Sequence, residues 1–216
     1  LGRPAKALLA ALALSATATL LHAQTAISNF GQGNGGTANL GYAFNGGNER
    51  RVFSFTTGAN VGGYTFSSAT MSFTGATGSP GSLTVGLYST FNSSLGSSPT
   101  GLLSSLSITS GDPASSSSVV FSGSTSLSAS TTYYLFLSAA SATSSGNFYN
   151  YHASANTSED SGGLAGWSIG DVGYRSLSDA AWTSGGGAMM SIQASAIPEP
   201  STYGALAGLA ALGLVM

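Results

Sequence analysis

The chain has 216 residues, room for one domain of roughly 100–200 residues with extensions at its ends. With 6% charged residues and a formal net charge of −2, it has no basic stripe to follow a phosphate backbone, which sets nucleic acid aside as a partner. Cysteine is absent, so there are no disulfides, thiolate metal sites or thiol nucleophiles, and the fold must rest on its core.

The chain begins "LGRPAKALLAALALSATATLLHAQTA". Arg3 and Lys6 give a short positive region, Ala7 to Leu21 an apolar stretch, and the small residues end at Ala23. Those blocks in that order have the layout of a secretory signal peptide, whose apolar part is too short to span a bilayer comfortably. Cleavage is expected between Ala23 and Gln24. Because residue 1 is Leu, the true start is expected upstream. The expected divisions are a leader over 1–23, a folded body over 24–196 and a sorting segment over 197–216.

Next comes "GQGNGG" at Gly31–Gly36, which literally satisfies G-x-G-x-x-G. Nothing else in a dinucleotide site is present: Val52, Phe53 and Ser54 stand where the acidic partner about 20 residues on belongs. The segment is expected to be a flexible loop.

Short alternating runs then follow one another. "RVFSFTT" sets Val52 opposite Phe53 and Phe55. "GYTFSSATMSFT" alternates at Tyr64 and Phe66 and switches phase to Met71 and Phe73. "SLTVGLYS" puts Leu83, Val85 and Leu87 on one face, and "SVVFSG" carries Val119 and Phe121. "TYYLFLS" is apolar on both faces, as a central strand is, and "NFYNYH", "GWSIG" and "MSIQAS" complete the set. Turn signals such as "TGSPGS" and "GDPAS" separate the runs. The pattern predicts an all-β fold, an antiparallel β-sandwich of jelly-roll-like kind.

The stretches "FTTGANVGGYTFSSATMSF", "GSLTVGLYST", "SPTGLLSSLS", "LSASTTYYLFLSA" and "GWSIGD" resemble the choice-of-anchor R domain, over roughly residues 28 to 195. That resemblance implies a bacterial extracellular module and carries no enzymatic activity with it.

Candidate chemistry is thin. After Ala23 the one histidine is His152, among aromatics, and no G-x-S-x-G elbow accompanies it, so it is expected to be a half-buried packing residue. Glu159, Asp160, Asp171 and Asp179 are the acidic candidates for a glycosidase pair. Adjacent Glu159 and Asp160 would point to opposite faces of a strand, and a solvated loop rim is expected instead. Loop oxygens would suit Ca²⁺, yet no D-x-D-x-D spacing appears, so neither metal nor cofactor is indicated. Trp167, Tyr174 and Trp182 would stack on sugar rings if exposed; core packing is the expected fate of such rings on strands.

The end of the sequence reads "AIPEPSTYGALAGLAALGLVM". From Tyr203 to Met216 every residue is apolar or small, short of the roughly 20 that a spanning helix needs. Pro198, Glu199, Pro200, Ser201, Thr202 and Tyr203 resemble the PEP-CTERM sorting signal of Gram-negative bacteria. In that family the triplet precedes a membrane helix and a short Arg-rich tail. The resemblance implies processing near the triplet by an exosortase, a membrane-embedded cysteine transpeptidase. No Arg or Lys follows Leu214, so the chain is expected to be cut within a transmembrane helix.

These readings together predict a non-catalytic, exported protein, transiently anchored in the inner membrane and then placed at the cell surface or in the extracellular matrix of a biofilm. Exosortase is its processing partner, and an exopolysaccharide is a candidate contact. A carbohydrate-binding module is the alternative, and a secreted hydrolase built on His152 comes last.

Overall fold

The computed structural model describes residues 23–40, 43–44, 47–48, 50–91, 100–140, 146–155, 158–175, 183–185 and 187–199, with backbone alone at 43–44, 47–48, 171–175 and 183–185. The described chain is all-β with antiparallel pairing throughout. Its strands are β1 (Gln24–Ser28), β2 (Asn34–Leu40), β3 (Ala43–Phe44), β4 (Gly47–Asn48), β5 (Arg50–Thr56), β6 (Tyr64–Met71), β7 (Phe73–Thr77) and β8 (Leu83–Thr90). They continue with β9 (Thr100–Ser110), β10 (Val119–Leu127), β11 (Thr132–Ala139), β12 (Phe148–Ser154), β13 (Ser168–Arg175), β14 (Thr183–Gly185) and β15 (Met190–Ala196).

Ten strands make one sheet in the order β1-β15-β6-β10-β9-β8-β11-β5-β13-β14. β9 is the bridge between its two halves. The end of the strand pairs with β10 (Val120↔Ser110, Phe121↔Ile108), and its start pairs with β8 (Leu87↔Ser104, Thr90↔Thr100). Phe66, Met71, Phe121, Leu127 and Ile192 from one half share a core with Phe53, Phe55, Leu87, Tyr133 and Leu135 from the other. The sheet is therefore folded over on its apolar face, as two half-buried layers must be. A smaller sheet, β2-β12-β7, adds Leu40, Phe73, Tyr149 and Tyr151 to that core.

The phase switch in β6 has a local cause. Ser68 and Phe66 face Gln193 and Ala194 of β15, leaving Ser67 unmatched. One extra residue reverses the alternation, since side chains repeat every two positions. Tyr64 and Phe66 thus point inward with Ala69, Met71 and Phe73, all buried. β11 lies between β8 and β5, as its two apolar faces predict. Tyr133, Leu135 and Leu137 enter the main core, while Phe136 packs on the outer face with Val52, Tyr88 and Tyr134.

Two sequence expectations change. "GQGNGG" is not a loop throughout: Phe30–Gln32 form a 3-10 turn and Asn34–Gly36 open β2. A Cβ at Gly35 would stand 2.6 Å from the carbonyl oxygen of Ser154, so glycine is there for close backbone approach. The other is β9, a strand of 11 residues that the alternation did not reveal, because Leu106 is its one buried side chain.

The two ends of the folded body lie together. Gln24 faces Ala194, and Ala196 and Leu127 both face Tyr64. The loop after β5 meets the β10–β11 turn there: the Thr57 hydroxyl donates to the Ser128 carbonyl and Ser130 N–H to the Gly58 carbonyl. This end is called the chain-end pole below. Arg50, Arg51, Arg175 and Asp112 lie at the opposite pole, by the register of β5 with β11 and β13 and by the turn that follows β9. The apolar leader segment Ala7–Leu21 and the run Tyr203–Met216, on which the signal-peptide and membrane-helix expectations fall, lie outside the described residues. Among the described residues no helix is long and apolar enough to cross a membrane.

Candidate functional site

The Pro-Glu-Pro triplet begins where the sheet stops. Ile197 follows the last residue of β15, and its N–H donates to the Gly63 carbonyl at 3.0 Å. The Asn60 side chain donates to the carbonyls of Gly63 (2.6 Å) and Ile197 (2.9 Å). Gly62 packs so closely on Ile197 that a Cβ there would overlap its carbonyl oxygen. The Asn60–Gly63 turn is thus a clamp on the outgoing chain. Pro198 and Glu199 come directly after it, half-buried and in no strand. Proline supplies no N–H and its preceding residue is driven extended, so regular pairing ends here. Pro200, Ser201 and Thr202 lie outside the described residues. At the other chain end Ala23 and Gln24 are both exposed, Gln24 as the first residue of the edge strand β1.

The aromatic candidates separate. Trp167 is 7% exposed, stacked on Phe55 at 5.8 Å with its edge to Tyr64 at 5.0 Å. It closes the core at the chain-end pole and offers no face to a sugar, so core packing is its role. Its indole N–H has no acceptor among the described residues. Tyr174 lies on β13, described by its backbone alone, and Trp182 lies outside the described residues.

Glu159 and Asp160 lie in no strand, and their carboxylates have separate partners. Glu159 accepts from Ile169 N–H at 3.0 Å. The Asp160 carboxylate accepts from Gly31 N–H at 3.0 Å, from the Gln32 amide at 3.0 Å and from the Ser28 hydroxyl at 2.8 Å. Partial burial alone would raise its pKa. The Gly31 amide, the side chains of Gln32 and Ser28 and the Phe30 amide outweigh that and hold it below the ordinary carboxylate value. Gly31 is required at this contact, since a Cβ would stand 2.7 Å from the Asp160 carboxylate oxygen. The backbone of the same segment bonds the edge of β1, Asp160 N–H to Ser28 O and Leu164 N–H to Ala26 O. It covers an edge that would otherwise invite pairing. Asp171 is described by its backbone alone and Asp179 lies outside the described residues. Among the described residues no group of three His, Asp or Glu side chains is placed to hold a metal ion.

His152 has a partner that sequence reasoning missed. Its Nδ1 is 2.8 Å from the Ser72 hydroxyl oxygen, across 80 residues of chain. Ser72 also lies 3.1 Å from the Ser117 carbonyl, which can only accept. The Ser72 hydroxyl thus lies between the His152 ring and the Ser117 carbonyl, with the donor at Nδ1 set by the imidazole tautomer. The contacts join the β6–β7 junction, the turn before β10 and strand β12. No signal along the sequence links the two residues; the junction of β6 with β7 creates the contact.

Comparison with known proteins adds no name: no family model, no curated protein and no solved structure matches this chain.

Proposed function

We propose that this is an exported, non-catalytic protein of a Gram-negative cell surface or extracellular matrix, delivered through a C-terminal Pro-Glu-Pro signal. Its body is a jelly-roll-like β-sandwich of choice-of-anchor R type. Its functional residues are Pro198, Glu199, Pro200, Ser201 and Thr202, the substrate of an exosortase. One observation carries the reading: Pro198 and Glu199 come immediately after the Ile197 clamp, outside any strand, and the sequence then runs through Pro200 into an uninterrupted apolar stretch. A processing enzyme needs an extended segment, and the two prolines of the triplet disfavour helix and strand pairing and push the residues before them towards extended backbone. A hydroxyl-rich, nearly uncharged surface suits a matrix component that neither attracts nor repels charged polymers.

The test is expression in a Gram-negative host with and without its exosortase, with an epitope tag placed after Met216. The tag should be removed from the wild-type chain and retained both in the enzyme-deficient host and after Pro198→Ala combined with Pro200→Ala. Equal tag removal in all three would overturn the proposal.

A further inference from the structure

We propose that the chain-end pole is a lipid-facing surface, on which the Asn60–Gly63 turn rests against the bilayer with Val61 at its tip. This rests on reading Tyr203–Met216 as the membrane segment.

Three observations converge. The first is reach. Ile197 is the last residue seen bonded to the body, and six Cα steps separate it from Tyr203, so the tether spans at most about 20 Å fully extended. The headgroup layer takes roughly 6 Å of that on each side of a bilayer. A body so tethered stays within about 15 Å of the lipid surface, less than its own length. The pole that holds Ile197 is the part that meets the surface.

The second is what that pole exposes. Val61 is 79% exposed, the most exposed large apolar side chain among the described residues. It belongs to the same turn that grips Ile197 through Asn60. Leu102 and Leu103 are also exposed and lie in the half of β9 nearer this pole, whereas Ile108 lies toward the other. A single exposed valine is ordinary on a protein surface. Its placement on the clamp of the outgoing chain is the informative part.

The third is charge. Residues 23–25, 57–63, 127–132 and 164–168, which build the pole, contain no carboxylate or basic side chain; among the described residues Glu199 follows the clamp and the Glu159 carboxylate reaches Ile169 N–H at the margin. Arg50, Arg51, Arg175 and Asp112 are all at the far pole. Removing a charge from water costs far more than removing a small polar or apolar group, so the end poorest in charge is the one that lies against lipid. The register Gln24↔Ala194 adds that the leader joins the body at this same end.

The absence of native cysteine makes the test direct. Val61→Cys, Ser118→Cys at the far pole and Ala205→Cys in the apolar run are each labelled with one environment-sensitive fluorophore. The full chain is reconstituted in phosphatidylethanolamine–phosphatidylglycerol vesicles containing nitroxide-labelled lipid. The labels at 61 and 205 should lose most of their emission to the nitroxide, and the label at 118 should keep it. Quenching at 205 with position 61 as bright as 118 leaves the membrane segment standing and overturns the lipid-facing pole. No quenching at either site overturns both. A label at 61 shielded from aqueous iodide but untouched by nitroxide lipid would mean a protein covers the turn, and would also overturn the proposal.

Discussion

The two poles of the body hold together by different means. At the chain-end pole the closure is aromatic: Trp167 lies flat on Phe55 and edge-on to Tyr64, and the turns around it are bonded by neutral hydroxyl and amide groups. At the far pole buried polar groups do more. Asn29, 1% exposed, donates to the Ala188 carbonyl and accepts from Met190 N–H, taking the place of a backbone pair. Arg51 gives two hydrogen bonds to the Asn39 carbonyl and lies 5.6 Å from the Tyr151 ring. Asp160, beside the same end of β1, carries a charge held by neutral donors. One end is secured by shape and dispersion, the other by satisfied polar atoms, and the two should respond to different insults.

The sharpest break is expected from Trp167→Ala. It removes the largest ring at the chain-end pole and should cost about 3–5 kcal/mol, read as a lower denaturant midpoint with an unchanged slope. Asn29→Ala comes next. It leaves Met190 N–H and the Ala188 carbonyl buried without their partner, at about 2–3 kcal/mol in the same titration. A loss below that of an ordinary surface substitution would show that water or a shifted strand replaces the asparagine.

The smallest effect is the pH response, and it separates the poles most cleanly. Asp160 has a lowered folded pKa, so its contribution is complete above its unfolded value and is lost as pH falls through the folded one. Tyr149 is the converse. Burial, with the Asp112 charge behind it, raises its phenol above the ordinary 10.0, so its contribution is complete below that value and lost as pH rises past it. Its hydroxyl donates to the Gly81 carbonyl at 2.6 Å. Amide exchange should therefore quicken in 28–32 and 158–164 in acid, as pH falls below the ordinary 3.8 of an Asp carboxyl, and in 78–82 in alkali above 10.0. The 60–63 turn should show neither response beyond the intrinsic rate. Asp160→Asn should abolish the acid response and cost about 1 kcal/mol, since solvent screens this half-buried group.

Much of the fold was legible because apolar alternation survives in the inner strands. β11 declared its central place by carrying rings on both faces, and the phase switch between Phe66 and Met71 announced the irregularity at Ser67. β9 escaped notice for the opposite reason. A strand rich in Ser and Thr with one inward side chain has no period to read. Neither could the sequence say that Gly31 and Asp160 meet, nor Ser72 and His152, because those contacts cross from one sheet or segment to another. The candidate site divides along the same line. The proposal for Pro198–Thr202 rests on local chemistry alone, whereas the Asn60 grip on Ile197 spans 137 residues and needed the folded chain. For Trp167, strand-like sequence at a sheet's end does not distinguish an inward ring from an outward one, and the stacking on Phe55 decides it.

β9 has one more consequence. Its 11 residues belong to both halves of the folded-over sheet at once, so neither half owns a complete border without it. The halves cannot peel apart like covers from a book, because the spine is itself a shared rung. Heating should melt the whole body in a single calorimetric peak whose van't Hoff and measured enthalpies agree.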